Sequence, residues 1–71
     1  MASDILFGTR LKELREDAGI SRYRLEQLSG VSRMTIMRIE GGIVSPSIAL
    51  YAGLLDCLGA KLEIVEKKDG L

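Results

Sequence analysis

Two short helical patterns lie back to back between Gly19 and Gly42, separated only by Ser29-Gly30-Val31. So brief a connection must turn through a residue that tolerates left-handed backbone angles, and Gly30 supplies one. The first pattern follows Ser21, a favoured N-cap residue, and directs Leu25 and Leu28 inward. The second follows Ser32, another such residue, and directs Ile36 and Ile39 inward with Val31 just ahead of them. The segment therefore predicts a helix to about Leu28, a tight turn, and a helix over about residues 32–40. That last helix carries Arg33 and Arg38 on its polar side.

The flanking segments supply the rest of a small bundle. Leu6, Leu11 and Leu14, with Phe7 beside them, recur at helical spacing and predict a helix from about Ile5 to Asp17. Ser3 or Asp4 is its expected cap and Ala18-Gly19 its stop. Gly41-Gly42 end the third helix, and Ile43-Val44 form a short apolar loop. Ser45-Pro46 then restart a helix, with proline suited to the first helical position. This fourth helix runs to about Leu58, with Ile48, Tyr51, Leu54, Leu55 and Leu58 on its inner stripe.

After Gly59 the period changes. Ala60 to Glu66 alternates apolar and charged residues, apart from Val65, which is a β-strand pattern. One strand cannot satisfy its own backbone hydrogen bonds, and the chain offers no second. The simplest partner is the same strand of another copy, antiparallel across a two-fold axis, with Leu62, Ile64 and Val65 in the interface. The expected architecture is an all-α, four-helix domain over residues 1–59, followed by a dimerising strand and tail over residues 60–71.

A chain of 71 residues is one domain with a core small enough that oligomerisation is a natural remedy. It has no histidine and one cysteine, Cys57, read as a small buried apolar side chain. Nothing points to a metal, a cofactor or a disulfide framework. The usual acid/base and nucleophile constellations are missing, so an enzyme is not expected. No apolar run approaches the roughly 20 residues of a membrane span, and the N-terminus lacks a signal-peptide layout, so the expected location is cytoplasmic. Formal net charge is +0, but its distribution is uneven. Arg22, Arg24, Arg33 and Arg38 occupy the middle of the chain, opposed there only by Glu26 and Glu40. Asp56, Glu63, Glu66 and Asp69 follow.

A cationic helix of this kind suits duplex DNA. An α-helix fits the major groove, and arginine can donate two bonds to guanine O6 and N7. Ser32, Arg33, Met34, Met37 and Arg38 form the candidate base-facing set, the methionines being suited to thymine methyls or, alternatively, to filling core or interface gaps. Ser21, Arg22, Tyr23 and Thr35 form the candidate phosphate-facing set. The first turn of the second helix exposes free backbone N–H groups beside Arg22, a natural phosphate site. Tyr23 and Arg24 also read as plain surface residues, and Tyr51 as a core aromatic.

An ordered set of short motifs matches a known pattern. It comprises Arg10-Leu-Lys-Glu-Leu-Arg15, Ala18-Gly-Ile-Ser21, Leu25, Ser29-Gly-Val-Ser32, Thr35-Ile36, Arg38-Ile-Glu-Gly-Gly42, Pro46-Ser47 and Leu58-Gly59. From about Phe7 to Gly59 the chain resembles the phage-repressor/Cro-like (XRE) helix-turn-helix family. The resemblance implies a lambda-repressor-like bundle whose recognition helix is residues 32–40. It also implies an ion pair between Arg15 and Glu40. There are departures. Glu26 stands where the family usually has alanine and must find a cation, for which Arg22 one turn earlier is the candidate, or lean out to solvent. Arg22 stands where glutamine is frequent. The loop from Gly41 to Ser45 lacks the basic residues that many relatives set against phosphates.

The strand directly after Gly59 resembles HipB-type antitoxins, whose paired C-terminal strands form a lid over the dimer. The expected function is a homodimeric repressor reading an inverted repeat in double-stranded DNA. The alternative is an antitoxin that binds a toxin protein and autoregulates its operon.

Overall fold

The computed structural model describes residues 2–63, which form helices α1 (Ala2–Asp17), α2 (Arg22–Ser29), α3 (Arg33–Glu40) and α4 (Ile48–Cys57). Helix α1 begins earlier than its periodicity predicts. Ser3 and Asp4 lie inside it rather than capping it, since Ala2 is a strong helix former and nothing in the first turn breaks the helix. The three later helices each open on a serine. Ser21, Ser32 and Ser47 have extended backbone, and their side chains accept from the N–H groups of Arg24, Thr35 and Leu50 at 3.0, 3.1 and 3.1 Å. A cap of this kind contributes about 1 kcal/mol. The serine cap also moves the start of α4, so that Pro46 precedes the helix instead of filling its first position.

The turn between α2 and α3 is set by Gly30, at φ +79° and ψ 0°, whose N–H closes α2 by donating to the Glu26 carbonyl at 2.8 Å. The Ser29 hydroxyl then accepts from the Val31 N–H at 3.0 Å, which gives that turn donor a partner. At the far end of α3, Gly41 is still right-handed and Gly42 takes φ +73°. That reversal lets Ile43 N–H donate to the Arg38 carbonyl at 2.9 Å, which releases the chain toward α4.

Every helix contributes to one core: Leu11 from α1, Leu25 from α2, Ile36 and Ile39 from α3, and Tyr51, Leu54 and Leu55 from α4. Helix α3 packs against α1 and α2, and α2 packs against α4. Leu14, Ile20, Val31, Val44, Leu50, Cys57, Leu58 and Ala60 seal the margins, half-buried. Full burial of one such aliphatic side chain is worth about 1.5–3 kcal/mol.

Four residues expected inside lie outside. Leu28 follows Leu25 by three positions, which rotates it about 60° off the buried line, enough in so short a helix to leave it exposed. Leu6 lies about 140° from Leu11 around α1 and faces solvent for the same reason. Phe7 and Ile48 do point along the inner stripes of α1 and α4, but one turn beyond the core. There they form an apolar hollow with Pro46, Tyr51 and Leu62 that no other described residue covers.

Residues 60–63 carry no strand in the single chain. Ile64 and Val65, the remainder of the predicted strand and interface, lie outside the described residues. Among those described, no helix is long and apolar enough to cross a membrane.

Candidate nucleic-acid interface

Helix α3 is two-faced. Ile36, Ile39 and the Glu40 side chain turn inward, while Arg33, Met34, Met37 and Arg38 are exposed and Thr35 is half-buried. The exposure of Met34 and Met37 removes the core-filling reading for both. The Ser32 hydroxyl, besides capping the helix, donates to Thr35 Oγ1 at 2.9 Å. Arg22, Glu26, Ser32, Arg33, Met34 and Met37 line a shallow concavity between α2 and α3. Ser21 and Tyr23 are exposed at the start of α2, and Arg24 Nη1 donates forward along the helix to Gln27 Oε1 at 3.3 Å.

A buried carboxylate holds this face in place. Arg15 Nε donates to Glu40 Oε2 at 2.6 Å, and Arg15 Nη2 donates to Oε1 at 3.1 Å. The Glu40 side chain is 1% exposed and that of Arg15 9%. Arg15 Nη1 donates in addition to the Ile20 carbonyl at 2.8 Å, binding the loop between α1 and α2 to the same cluster. The Arg15 pKa is raised, chiefly by its hydrogen bond to Glu40, with burial pulling the other way. No buried side-chain nitrogen or oxygen among the described residues lacks a hydrogen-bond partner. The forked, two-bond geometry is the arrangement in which an arginine–carboxylate pair offsets its own desolvation.

Glu40 has a second cation that the sequence did not reveal. Arg22 Nε donates to Oε1 at 2.9 Å, with the Arg22 side chain 39% exposed. One carboxylate thus joins α1, α2 and the end of α3, and the cluster of two guanidiniums and one carboxylate keeps a net positive charge. Arg22 is therefore unavailable to Glu26 in the way its spacing suggested. Glu26 instead meets Arg33, Oε1 to Nε at 3.3 Å, across the turn. The Arg33 guanidinium carbon also lies 4.9 Å from the centre of the Tyr23 ring. No periodicity links residues seven or ten apart across a turn; the one available signal was the unusual charge at position 26.

Leu62 lies in a separate hollow, with Phe7, Pro46, Ile48 and Tyr51. The Phe7 and Tyr51 rings are 5.4 Å apart, and the Tyr51 hydroxyl donates to the Phe7 carbonyl at 2.7 Å. Burial raises the Tyr51 pKa, while nearby Arg10 pulls it down more weakly.

Comparison with known proteins agrees with this geometry. A family model described as a helix-turn-helix domain matches residues 6–66. The HTH-type transcriptional regulator PuuR of Escherichia coli is 40% identical over 55 residues, covering 78% of this chain and 30% of that protein. An HTH-type transcriptional regulator of Haemophilus influenzae is 45% identical over 58 residues, covering 78% of this chain and 59% of that one. This chain thus matches less than two thirds of the length of either relative. The crystal structure of the restriction-modification controller protein C.AhdI from Aeromonas hydrophila superposes with a TM-score of 0.81 at 33% identity. That match covers 86% of this chain and 92% of that one.

Proposed function

The chain belongs to the helix-turn-helix domain family and is XRE-like, and from that premise we propose that it is a sequence-specific DNA-binding transcriptional regulator. The observation that carries the reading is the outer face of α3: two arginines and two methionines exposed on a helix whose opposite face is locked into the core. In this reading Ser32, Arg33, Met34, Met37 and Arg38 meet base edges in the major groove. Arg33 donates to a guanine, and the methionines touch thymine methyls. Ser21, Arg22, Tyr23 and Thr35 meet phosphates, with Arg22 presented by Glu40. Arg15 and Glu40 are structural. The role is binding rather than catalysis.

The regulator acts as a homodimer and a repressor. Support for the dimer is the hollow of Phe7, Pro46, Ile48, Tyr51 and Leu62, left open by the described residues where the helical domain ends. A second copy that covers it and pairs the tails presents two α3 helices to an inverted repeat, half-sites about one helical turn apart.

The test is fluorescence anisotropy of labelled duplexes from the flanks of the chain's own gene. The expected result is saturable binding that weakens by orders of magnitude between about 50 and 200 mM salt. A signal flat across salt and sequence would overturn the reading.

A further inference from the structure

We propose that Glu26 and Tyr23 hold the Arg33 guanidinium in its base-reading orientation, which makes Glu26 a specificity-determining residue that touches no base. The inference rests on the DNA-reading role proposed for Arg33 and deepens it. A guanidinium carries five N–H donors around a flat fork. Glu26 Oε1 stands 3.3 Å from Nε, an ion-pair contact without a hydrogen bond, and the Tyr23 ring lies under the central carbon at 4.9 Å. Among the described residues the ion-pair contact of the Arg33 guanidinium falls on Nε, and no hydrogen bond uses Nε, Nη1 or Nη2. The end of the fork, which offers paired donors to guanine O6 and N7, is the part left open.

Two physical consequences follow. The Arg33 side chain is 60% exposed, and an untethered arginine there would lose much rotamer freedom on docking; a tethered one has lost part of it already. The second consequence concerns charge. Glu26 lines the same concavity as Arg22, Ser32, Arg33, Met34 and Met37, close to where phosphates must come. Paired with Arg33, its carboxylate is neutralised. Left without Arg33, it repels the backbone of every duplex alike. Glu26 therefore couples to Arg33 in sign as well as in geometry, and the two substitutions will not be additive.

The closing experiment uses fluorescein-labelled duplexes carrying the sequence selected by the wild-type protein, with each base pair replaced in turn. Discrimination at each position is measured for wild type, Glu26→Gln, Tyr23→Leu, Arg33→Ala and the Glu26→Gln/Arg33→Ala pair. Thermal melts confirm that each variant folds. Wild type is expected to prefer guanine at the Arg33 position by about tenfold or more. Glu26→Gln and Tyr23→Leu should each cut that ratio several-fold at that position alone. The double variant should bind all duplexes more tightly than Arg33→Ala.

An Arg33→Ala loss of discrimination with Glu26→Gln and Tyr23→Leu unchanged would overturn the buttress while leaving the reading helix intact. Unchanged discrimination in Arg33→Ala would overturn the base-reading role and this inference with it. A Glu26→Gln protein that binds the selected duplex more tightly at a preserved or larger ratio would show a latch that DNA must open, and would also overturn it.

Discussion

Gly8 of α1 lies against the carbonyl oxygen of Ile39 in the last turn of α3, so closely that a Cβ on Gly8 would fall far inside contact distance of that oxygen and 2.9 Å from the Glu40 carbonyl oxygen. The obstruction is backbone, which cannot swing aside. Gly8→Ala must push α1 off α3 and disturb the Arg15–Glu40 pair nearby, at a cost of about 3 kcal/mol. Gly53 in α4 is the internal control, since nothing lies within 4 Å of its hypothetical Cβ. Gly53→Ala should stabilise by about 0.5–1 kcal/mol through helix propensity alone. Urea titrations of the two variants should shift in opposite directions; parallel shifts would contradict this account of the helix contact.

Glu40→Ala strands Arg15 in the interior, and about 3–5 kcal/mol of stability should be lost. A small domain has little more than that in total, so the variant should be largely unfolded on mild warming. Circular dichroism melts will show it. A melting curve that coincides with the wild-type one would mean that the buried carboxylate is not what joins the helices.

Arg22 shares the same carboxylate but is partly exposed, so Arg22→Ala should cost no more than about 1 kcal/mol of stability. Its effect belongs to DNA binding. Affinity should fall evenly across sequences, and the slope of log K against log salt should shrink by about 0.9, the loss of one phosphate contact. A loss confined to one base pair would make Arg22 a base reader instead.

Ile48 is 78% exposed and Leu62 41%, both in the hollow that also holds Phe7. Ile48→Asp and Leu62→Asp place a charge where a second copy is proposed to sit. Sedimentation velocity should find the wild type dimeric at micromolar concentration and both variants shifted to monomer, with helical content kept. Dimers that survive both substitutions would move the interface elsewhere.

The helix-turn-helix segment was legible because its rules are local. Serine caps, the Gly30 turn and the Ile36/Ile39 spacing act over four residues or fewer, and their positions agree with the structure to within a residue or two. Packing at the edges of the bundle was not legible. Periodicity marks the side of a helix but not how far along it the neighbours extend, so it predicts Phe7 and Ile48 in the core although both are exposed. Gly8 gave no warning, because a helical glycine looks like a weak point until a second helix is laid on it. Charge partners were the least accessible: Glu26 reaches Arg33 and Arg22 reaches Glu40 only once the turn has folded α2 against α3.

The most direct test of the central claim is selection of bound duplexes from a random pool by the wild-type protein and by Arg33→Ala in parallel. The account predicts that the wild type enriches an inverted repeat, half-sites about 10 base pairs apart. It also predicts that Arg33→Ala enriches the same repeat with its preference lost at one symmetric guanine position. A pool that stays random, or a consensus identical for both proteins, would contradict it.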